Sequence, residues 1–548
     1  MTKLKIKTYD QTYELNIQEA VMIRNLVEKI QKNCRYPLVA AMEGYQFLLM
    51  EDQISGGSIE LLDMRSSIGN RMVQRSLAFL YRYAVHEVLG YETKVVIANA
   101  ISKGVFTKVK SNQINKETII KIEKKMKDCH LPIFQRRLRR NELIQWAREY
   151  ELKESLVLLE SNPILEMGYA CEIGREKHVF FEPLVVHTSL LPIFACRLYR
   201  SGILLRYPTP DEPDVLPAFE EEPTLYEAFS QETQWEKLLG AQCSYDLNDK
   251  FRKGEGKDLI LLSEALHEMR IAEIAKKIQS QHKQLILIAG PSSSGKTSFA
   301  KRLILQLKVL GLKPLYLGTD DYFVDRSELK PRADGKVDFE SLDAVDLTLF
   351  NQQMNDLLAG KRVDIPHFDF IQGKKVFGQR FEQLAMNQPI VIEGIHGLNP
   401  ILSEQVADEV KFKIYISPLT QLNIDTLQRI PTTDVRLLRR ILRDHRTRGY
   451  SARKTLLCWP NVRHGEDVNI FPYNSCADAF FNTQAIYELS LLKPLVEPLL
   501  EEILLDEQVG KEAKRLLNLL MYFVSVSQEE WIPNNAIMRE FIGGSILF

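Results

Sequence analysis

Apolar and polar residues alternate with the two-residue period of a strand over 4–8 and 13–17, and change to a helical period over 17–32. They return as short apolar runs at 47–50 and 58–62. That order predicts a small ubiquitin-like β-grasp unit over residues 1–64. A helical run over 72–89 opens a longer α+β segment reaching about residue 216. The pattern then breaks at Tyr207-Pro-Thr-Pro-Asp-Glu-Pro-Asp-Val-Leu-Pro217 and Glu220-Glu-Glu-Pro223. Prolines fix φ and remove amide donors, so this stretch reads as a linker or surface loop.

Helical periods over 225–239 and 258–281 lead into five consecutive apolar residues at 285–289, a Gly/Ser loop, and a helical run over 299–310. Further apolar strands follow at 314–319 and 389–393. Runs that are apolar on both faces suit a parallel sheet covered by helices. After 482 the helical period returns at 486–504 and 511–524, and a mixed tail, 537–548, is expected to pack on the unit that holds these strands. The predicted fold class is α/β. A parallel-sheet unit at 285–482 is preceded by the β-grasp unit (1–64), an α+β domain (65–216) and a linker with helical lead-in (217–284), and is followed by a helical extension (483–548).

Composition bounds this picture without adding chemistry. The 548 residues suit roughly three domains at about 150 residues each. Lys and Arg number 71 against 72 Asp and Glu, so no global field draws the chain to nucleic acid or membrane. The first seven residues lack a signal-peptide apolar core, and no apolar run approaches the roughly 18 residues a bilayer requires, so the expected location is cytoplasmic. Seven cysteines contain no C-x-x-C pair and ten histidines no H-x-x-x-H spacing, which predicts reduced thiols and no metal beyond one carried with a nucleotide.

Charge is uneven only locally. Between residues 103 and 127 there are eight lysines and two acids, and Arg136-Arg-Leu-Arg-Arg140 follows. Such a patch can track an RNA or tRNA backbone. The preferred reading is the wet face of an amphipathic helix over 116–127, with Ile119, Ile120, Ile122 and Met126 on its apolar side. The sequence does not fix an oligomeric state.

Chemistry begins at Gly290-Pro-Ser-Ser-Ser-Gly-Lys-Thr297, a G-x-x-x-x-G-K-T loop between strand and helix. Gly290, Ser292, Ser293, Ser294 and Gly295 form the turn whose backbone N–H groups face phosphates, and the helix adds its positive end. Lys296 would reach the β- and γ-phosphates, Thr297 would place its hydroxyl on Mg²⁺, and Ser298 offers a second hydroxyl to a phosphate. The motif therefore calls for a nucleoside triphosphate with Mg²⁺.

Downstream residues separate a kinase from a switch or motor. Asp320 and Asp321 end the 314–319 strand, where a carboxylate could accept the proton of an attacking hydroxyl; turn chemistry or helix capping is the alternative. Glu393 ends the 389–393 strand and could hold Mg²⁺ through water, unless it is an ordinary strand-end acid. Six arginines, 436, 439, 440, 443, 446 and 448, lie within thirteen residues. They suit a lid that neutralises a transferring phosphoryl group, or a salt-bridged structural helix.

The set Gly290 to Thr297, Asp320-Asp-Tyr-Phe323, Val363-Asp-Ile-Pro-His-Phe-Asp-Phe370, Ile392-Glu-Gly394 and Arg439-Arg-Ile-Leu-Arg-Asp444 with Arg448-Gly449 resembles the uridine kinase and phosphoribulokinase family in order and spacing. The resemblance implies ATP with Mg²⁺ served by Lys296 and Thr297, and Asp320 as general base for the 5′-hydroxyl of a nucleoside, uridine or cytidine. It implies lid contacts from Arg440, Arg443 and Arg448 to phosphates or acceptor. It aligns the family's sugar-binding acid with Glu340, in Asp338-Phe339-Glu340, one methylene longer than the family's Asp. The base-reading tyrosine becomes Phe368, which can still stack on a base, and a histidine becomes Gly373, so two hydrogen-bonding groups are gone.

The first 215 residues resemble the front of threonyl-tRNA synthetases, a TGS module and an editing-type domain, in layout and in fragments such as Ile101-Ser-Lys-Gly-Val-Phe106. Arg75 and Phe79 replace both histidines of that domain's H-x-x-x-H helix, so no editing activity is carried over. The leading expectation is a nucleoside kinase. The alternatives are a nucleotide-dependent RNA- or ribosome-associated regulator and a kinase of another small hydroxyl metabolite.

Overall fold

The computed structural model describes residues 2–329, 340–420 and 422–548, without the side chains of 231–234 and 236. At the front, Thr2–Lys7 pairs antiparallel with Thr12–Ile17 and parallel with Gly57–Leu62; Ala40–Glu43 then links Gly57–Leu62 to Gln46–Leu48. Helix Ile23–Gln31 lays Ile23, Leu26 and Ile30 against Leu4, Ile6, Ile59 and Leu61. The helix starts six residues later than its periodicity predicts, because Val21–Met22 is drawn into a bridge with Gln53–Ile54. Strand Ala40–Glu43 has no sequence signal: its residues are poor strand formers, and ladders on both sides hold it in place.

Ser66 accepts a hydrogen bond from the Gly69 amide and caps helix Ser67–Leu89, which is buried almost all round from Ser76 to Val85. Around it lie a four-stranded antiparallel sheet, Ala195–Tyr199, Gly202–Arg206, Gly104–Lys110 and Lys94–Ile101, and a three-stranded one, Phe134–Arg139, Met167–Ile173 and Glu176–Phe180. Helix Lys116–Lys127 forms where expected and buries Ile119, Ile122 and Met126, but Ile120 is 67% exposed. Adjacent helical residues point about 100° apart, so Ile119 and Ile120 cannot share the apolar stripe. Lys121, Lys125 and Lys127 of this helix are ion-paired to Glu117, Glu87 and Glu123.

The catalytic half is built on five parallel strands in the spatial order Leu315–Gly318, Ile390–Glu393, Leu285–Ala289, Lys411–Ser417, Ala479–Asn482. Every residue of the central Leu285–Ala289 is fully buried, as its unbroken apolar run requires. Helices Gly256–Ser280 and Lys296–Val309 pack together and cover one face. The last two strands in that order were not predicted. Lys411–Ser417 alternates lysines with apolar residues, and Ala479–Asn482 is only four residues long. No helix among the described residues is long and apolar enough to cross a membrane.

Helices Glu488–Glu501 and Gly510–Leu520 follow, and the chain then doubles back. Ile537, Met538 and Phe541 enter the same hydrophobic core as Phe299 and Leu303 of the helix after the glycine-rich loop. The C-terminal tail thus packs on the catalytic unit, against the edge where open α/β sheets bind ligands.

Candidate active site

The Gly/Ser loop leaves the central strand at its C-terminal end. A Cβ at Gly290 would collide with the Ile416 carbonyl oxygen, so only glycine lets the loop lie this close to the neighbouring strand. Gly295 takes φ +82° and caps helix Lys296–Val309. The loop carbonyls are held from outside. Arg436 Nε donates to Ser292 O at 3.0 Å, Arg439 Nη1 to Ser293 O at 3.4 Å, and Thr483 Oγ1 to Ser294 O at 2.6 Å. Lys296 Nζ donates to Gly290 O at 2.9 Å and Pro291 O at 3.2 Å. The Ser293 and Ser294 hydroxyls are buried without a hydrogen-bond partner in the protein. A loop with carbonyls tied outward and spare donors inside is suited to phosphate oxygens.

Thr297 Oγ1 donates to Glu393 Oε1 at 2.8 Å, and Tyr316 OH donates to the same oxygen at 2.6 Å. Glu393 Oε2 is buried with no hydrogen bond. A buried carboxylate oxygen left open beside a threonine hydroxyl fits a hard divalent cation, so these residues suit Mg²⁺ held by Thr297 and Glu393. Burial pushes the Glu393 carboxyl above its ordinary range, while Tyr316, Lys296 and Thr297 pull it back.

Lys296 is the electrostatic centre of the site. Burial lowers its pKa, opposed by Glu393, Glu540, Asp320 and Glu340 in that order. Those four carboxylates come from separate parts of the chain, and three of them, Asp320, Glu340 and Glu393, are site residues expected from the sequence. Asp320 opens to solvent in the cleft, yet the walls around it strip enough hydration to raise its pKa; Lys296 counteracts this and Asp321 adds to it. Glu340 packs its Cβ on Gly465 of helix Ala452–Asn469, where a larger residue would displace it. The Asp338-Phe339 part of its motif lies outside the described residues.

Helix Thr432–Arg448 divides its arginines by phase. Arg436 and Arg439 are buried in ion pairs with Glu466 and Glu488, and they anchor the helix to the loop. Pairs this deep fix geometry more than they add net stability. Arg440, Arg443 and Arg448 instead converge on Asp444, at 3.3, 3.1 and 3.4 Å, with Arg440 Nη1 also 2.5 Å from Ser292 Oγ. Three guanidinium groups on one buried carboxylate beside the loop leave positive charge available to an anion.

Phe368 lies in the core below this cleft, 1% exposed, with Phe323 and Phe370 edge-on to it at 5.6 and 5.2 Å. Its ring is enclosed, and the neighbour that reaches solvent is Phe370, 56% exposed. Gly373 takes φ +68° and a Cβ there would press on Arg326, so this backbone has no place for the histidine of the related pattern.

Sequence reasoning missed the groups that arrive from far away. Glu466 Oε1 accepts the Ser292 amide at 3.0 Å. Glu540 Oε2 in the C-terminal tail accepts from Ser298 Oγ at 2.7 Å and from the Ser298 amide at 3.3 Å. Ile537 lies against Gly295, 2.6 Å from where a Cβ would be. None of these has a local signal: Glu540 is one acid in a mixed tail.

Comparison with known proteins agrees with this arrangement. Residues 285–489 match the phosphoribulokinase / uridine kinase family. Uridine kinase of Brevibacillus brevis is 30% identical over 178 residues, which span 32% of this chain and 74% of that protein. Uridine kinase of Borreliella burgdorferi is 29% identical over 216 residues, 38% of this chain and 92% of that one. The solved structure of a possible uridine kinase from Bacillus stearothermophilus is 19% identical, covers 39% of this chain and 97% of its own, and has a TM-score of 0.27. With its match to the family over residues 285–489 and 30% identity to the Brevibacillus brevis uridine kinase across 74% of that protein, the chain belongs to the phosphoribulokinase / uridine kinase family.

Proposed function

We propose that the protein transfers the γ-phosphoryl group of ATP to the 5′-hydroxyl of a nucleoside, uridine or cytidine first among the candidates. The observation that carries this reading is the buried Glu393, bonded to the Thr297 hydroxyl at 2.8 Å with its other oxygen open, beside a loop whose lysine is already fastened to Gly290 O and Pro291 O. The loop amides, Lys296 and the Ser298 hydroxyl hold the phosphates, and Glu340 holds the sugar hydroxyls. Asp320 accepts the proton as the acceptor oxygen bonds to the γ-phosphorus and the bond to the bridging oxygen breaks, leaving ADP. Arg440, Arg443 and Arg448 neutralise charge spread over the transferring group, with Arg443 placed as the catalytic member. Mg²⁺, held by Thr297 and Glu393, would supply Lewis-acid neutralisation of the phosphate oxygens.

A second reading keeps the chemistry and changes the acceptor to another small hydroxyl metabolite. Enclosed Phe368 and left-handed Gly373 favour it, since neither side chain offers a hydrogen bond to a pyrimidine edge. The domain division belongs to the same proposal: a TGS-like unit over 1–64, a synthetase-like domain over 65–216, a helical lead-in over 217–284, the kinase over 285–482 and its extension over 483–548.

Incubating the full chain with Mg-ATP and a panel of nucleosides, sugars and hydroxy acids, with products identified by mass, tests both readings. A nucleoside 5′-monophosphate is expected. A phosphorylated sugar or hydroxy acid instead selects the second reading, and ATP hydrolysis without transfer rejects both in favour of an RNA-linked role.

Glu540 adds a separate expectation. Its carboxylate sits on the Ser298 hydroxyl and amide, where the proposed site places phosphate, so nucleotide must displace it. Glu540→Gln should tighten binding of a non-hydrolysable ATP analogue by about fivefold, the effect of removing one like charge worth ~1 kcal/mol at a helix N-terminus. Calorimetry gives the Kd, and unchanged or weaker binding would show that the tail does not compete.

A further inference from the structure

A cavity of about 610 Å³ has no residue of the phosphate loop in its lining and is unused by the chemistry above. It lies where helix Ser67–Leu89 and the antiparallel sheet face the segment before the arginine helix, with helix Gly510–Leu520 closing another side. A volume of this size is within the ~300–1,000 Å³ of small-molecule sites, which favour junctions between structural units.

Its lining is apolar over much of its extent, with Ala78, Ile97, Val105, Leu205, Phe181 and Leu427 exposed to the void. Set into that surface are four arginines, and their partners are unequal. Arg75 is ion-paired to Glu182 and donates to Pro183 O at 3.0 Å. Arg515 is bidentate on Asp434 at 2.5 and 2.8 Å and also pairs with Glu512. Arg71 has only a 3.9 Å approach to Glu512, and its Nη2 is buried without a hydrogen bond. The Arg429 guanidinium makes no hydrogen bond or ion pair among the described residues, and its charged form is disfavoured by burial, as is that of Arg71. The remaining acid of the lining, Glu166, is exposed.

Two arginines short of acceptors in a mostly apolar chamber offer donors to an anion from outside. Water could solvate them, but 610 Å³ edged by aliphatic and aromatic side chains gains more from an apolar body. The forked guanidinium donors match an oxyanion, phosphate or carboxylate, in a way that a halide does not. The position is also consequential. Arg429 is three residues before helix Thr432–Arg448, Asp434 is in its first turn, and Arg436, Arg439 and Arg440 of its next turns hold Ser292 and Ser293 of the phosphate loop.

We infer that this cavity is an effector site, distinct from the phosphate loop, for a small organic anion whose phosphate or carboxylate is held by Arg71 and Arg429 and whose apolar body fills the chamber. Occupancy is linked to nucleotide affinity through helix Thr432–Arg448, and by thermodynamic reciprocity nucleotide changes the affinity of the anion by the same factor.

The test uses the full chain and two sets of probes, phosphate monoesters and carboxylates of aromatic or aliphatic body, titrated by calorimetry with and without a saturating non-hydrolysable ATP analogue. Binding by a member of one set, with the phosphate loop already filled, is expected, and which set binds identifies the anionic group. Its Kd should rise at least about tenfold in Arg429→Met and in Arg71→Met, the loss of one charge-assisted hydrogen bond worth ~1.5–3 kcal/mol. Arg429→Met removes no hydrogen bond or ion pair among the described residues and takes away a charge that burial disfavours, so the melting temperature of that variant should be no lower than the parent's. The Kd should also differ severalfold between the two nucleotide conditions. No binding from either set, binding untouched by both substitutions, or the same Kd with and without the analogue overturns the effector site. None of these outcomes depends on which acceptor the kinase uses.

Discussion

Lys296→Ala is expected to lower kcat/KM for phosphoryl transfer by about 10²–10³-fold, the loss that follows from removing one preorganised donor to developing charge, ~3–4 kcal/mol. The geometry makes the size of the effect specific to this residue. Lys296 Nζ is fastened to Gly290 O and Pro291 O, so its position is set before substrate arrives. Four carboxylates act on it electrostatically, and without its charge their repulsion of a triphosphate is less offset. Folding should not suffer in parallel. Burial lowers the lysine's pKa below its unfolded value, so the charged form costs stability at neutral pH, and alanine relieves that cost. The measurements are steady-state kinetics with thermal unfolding beside them. A variant that keeps activity within about threefold of the parent would remove Lys296 from the proposed mechanism, and a lower melting temperature would show that the carboxylates need its charge for folding.

How far the site was legible depended on whether its signals were local. The central strand announced itself because five apolar residues in a row can only be covered on both faces. The G-x-x-x-x-G-K-T loop did so because phosphate binding dictates residue types at fixed offsets. Asp320 and Glu393 were found because each ends an apolar strand. The arginine helix was legible as a cluster but not in its division. Only its packing places Arg436 and Arg439 on the buried side with Glu466 and Glu488, and Arg440, Arg443 and Arg448 around Asp444. Glu540, Glu466 and Thr483 reach the loop across 242, 174 and 189 residues of chain, and no periodicity encodes such a contact. Strand Ala40–Glu43 failed for a related reason, since its conformation is imposed by neighbours on both sides and not by its own residues. Phe368 was legible as an aromatic at a base-reading position, whereas its enclosure between Phe323 and Phe370 is a property of packing.

Asp320→Asn should reduce kcat by about 10²–10⁴-fold, the range for loss of a positioned general base, while leaving nucleotide affinity unchanged or slightly tighter because a negative charge beside Lys296 is gone. The amide keeps the shape of the carboxylate and loses its capacity to take a proton. The parent enzyme carries a further signature. Because Asp320 has its pKa raised by the walls of the cleft and by Asp321, its basic form is lost at a higher pH than for an ordinary aspartate, and activity falls as pH is lowered through that value. Asp321→Asn removes the like charge, lowers the Asp320 pKa and moves the acid limb of the pH profile to lower pH. Asp321 Oδ1 also accepts a hydrogen bond from His367 Nδ1 at 3.2 Å, so Asp321→Asn has to be read from the shift of the limb and not from its plateau rate. Single-turnover kinetics across the acid range, with ATP binding measured separately, distinguish the two carboxylates. If Asp320→Asn retained activity within about threefold, or if the limb stayed fixed in Asp321→Asn, the proton would have to leave by a group other than Asp320. Glu340 would then be the next carboxylate to test, since it faces the same lysine and its extra methylene gives it reach.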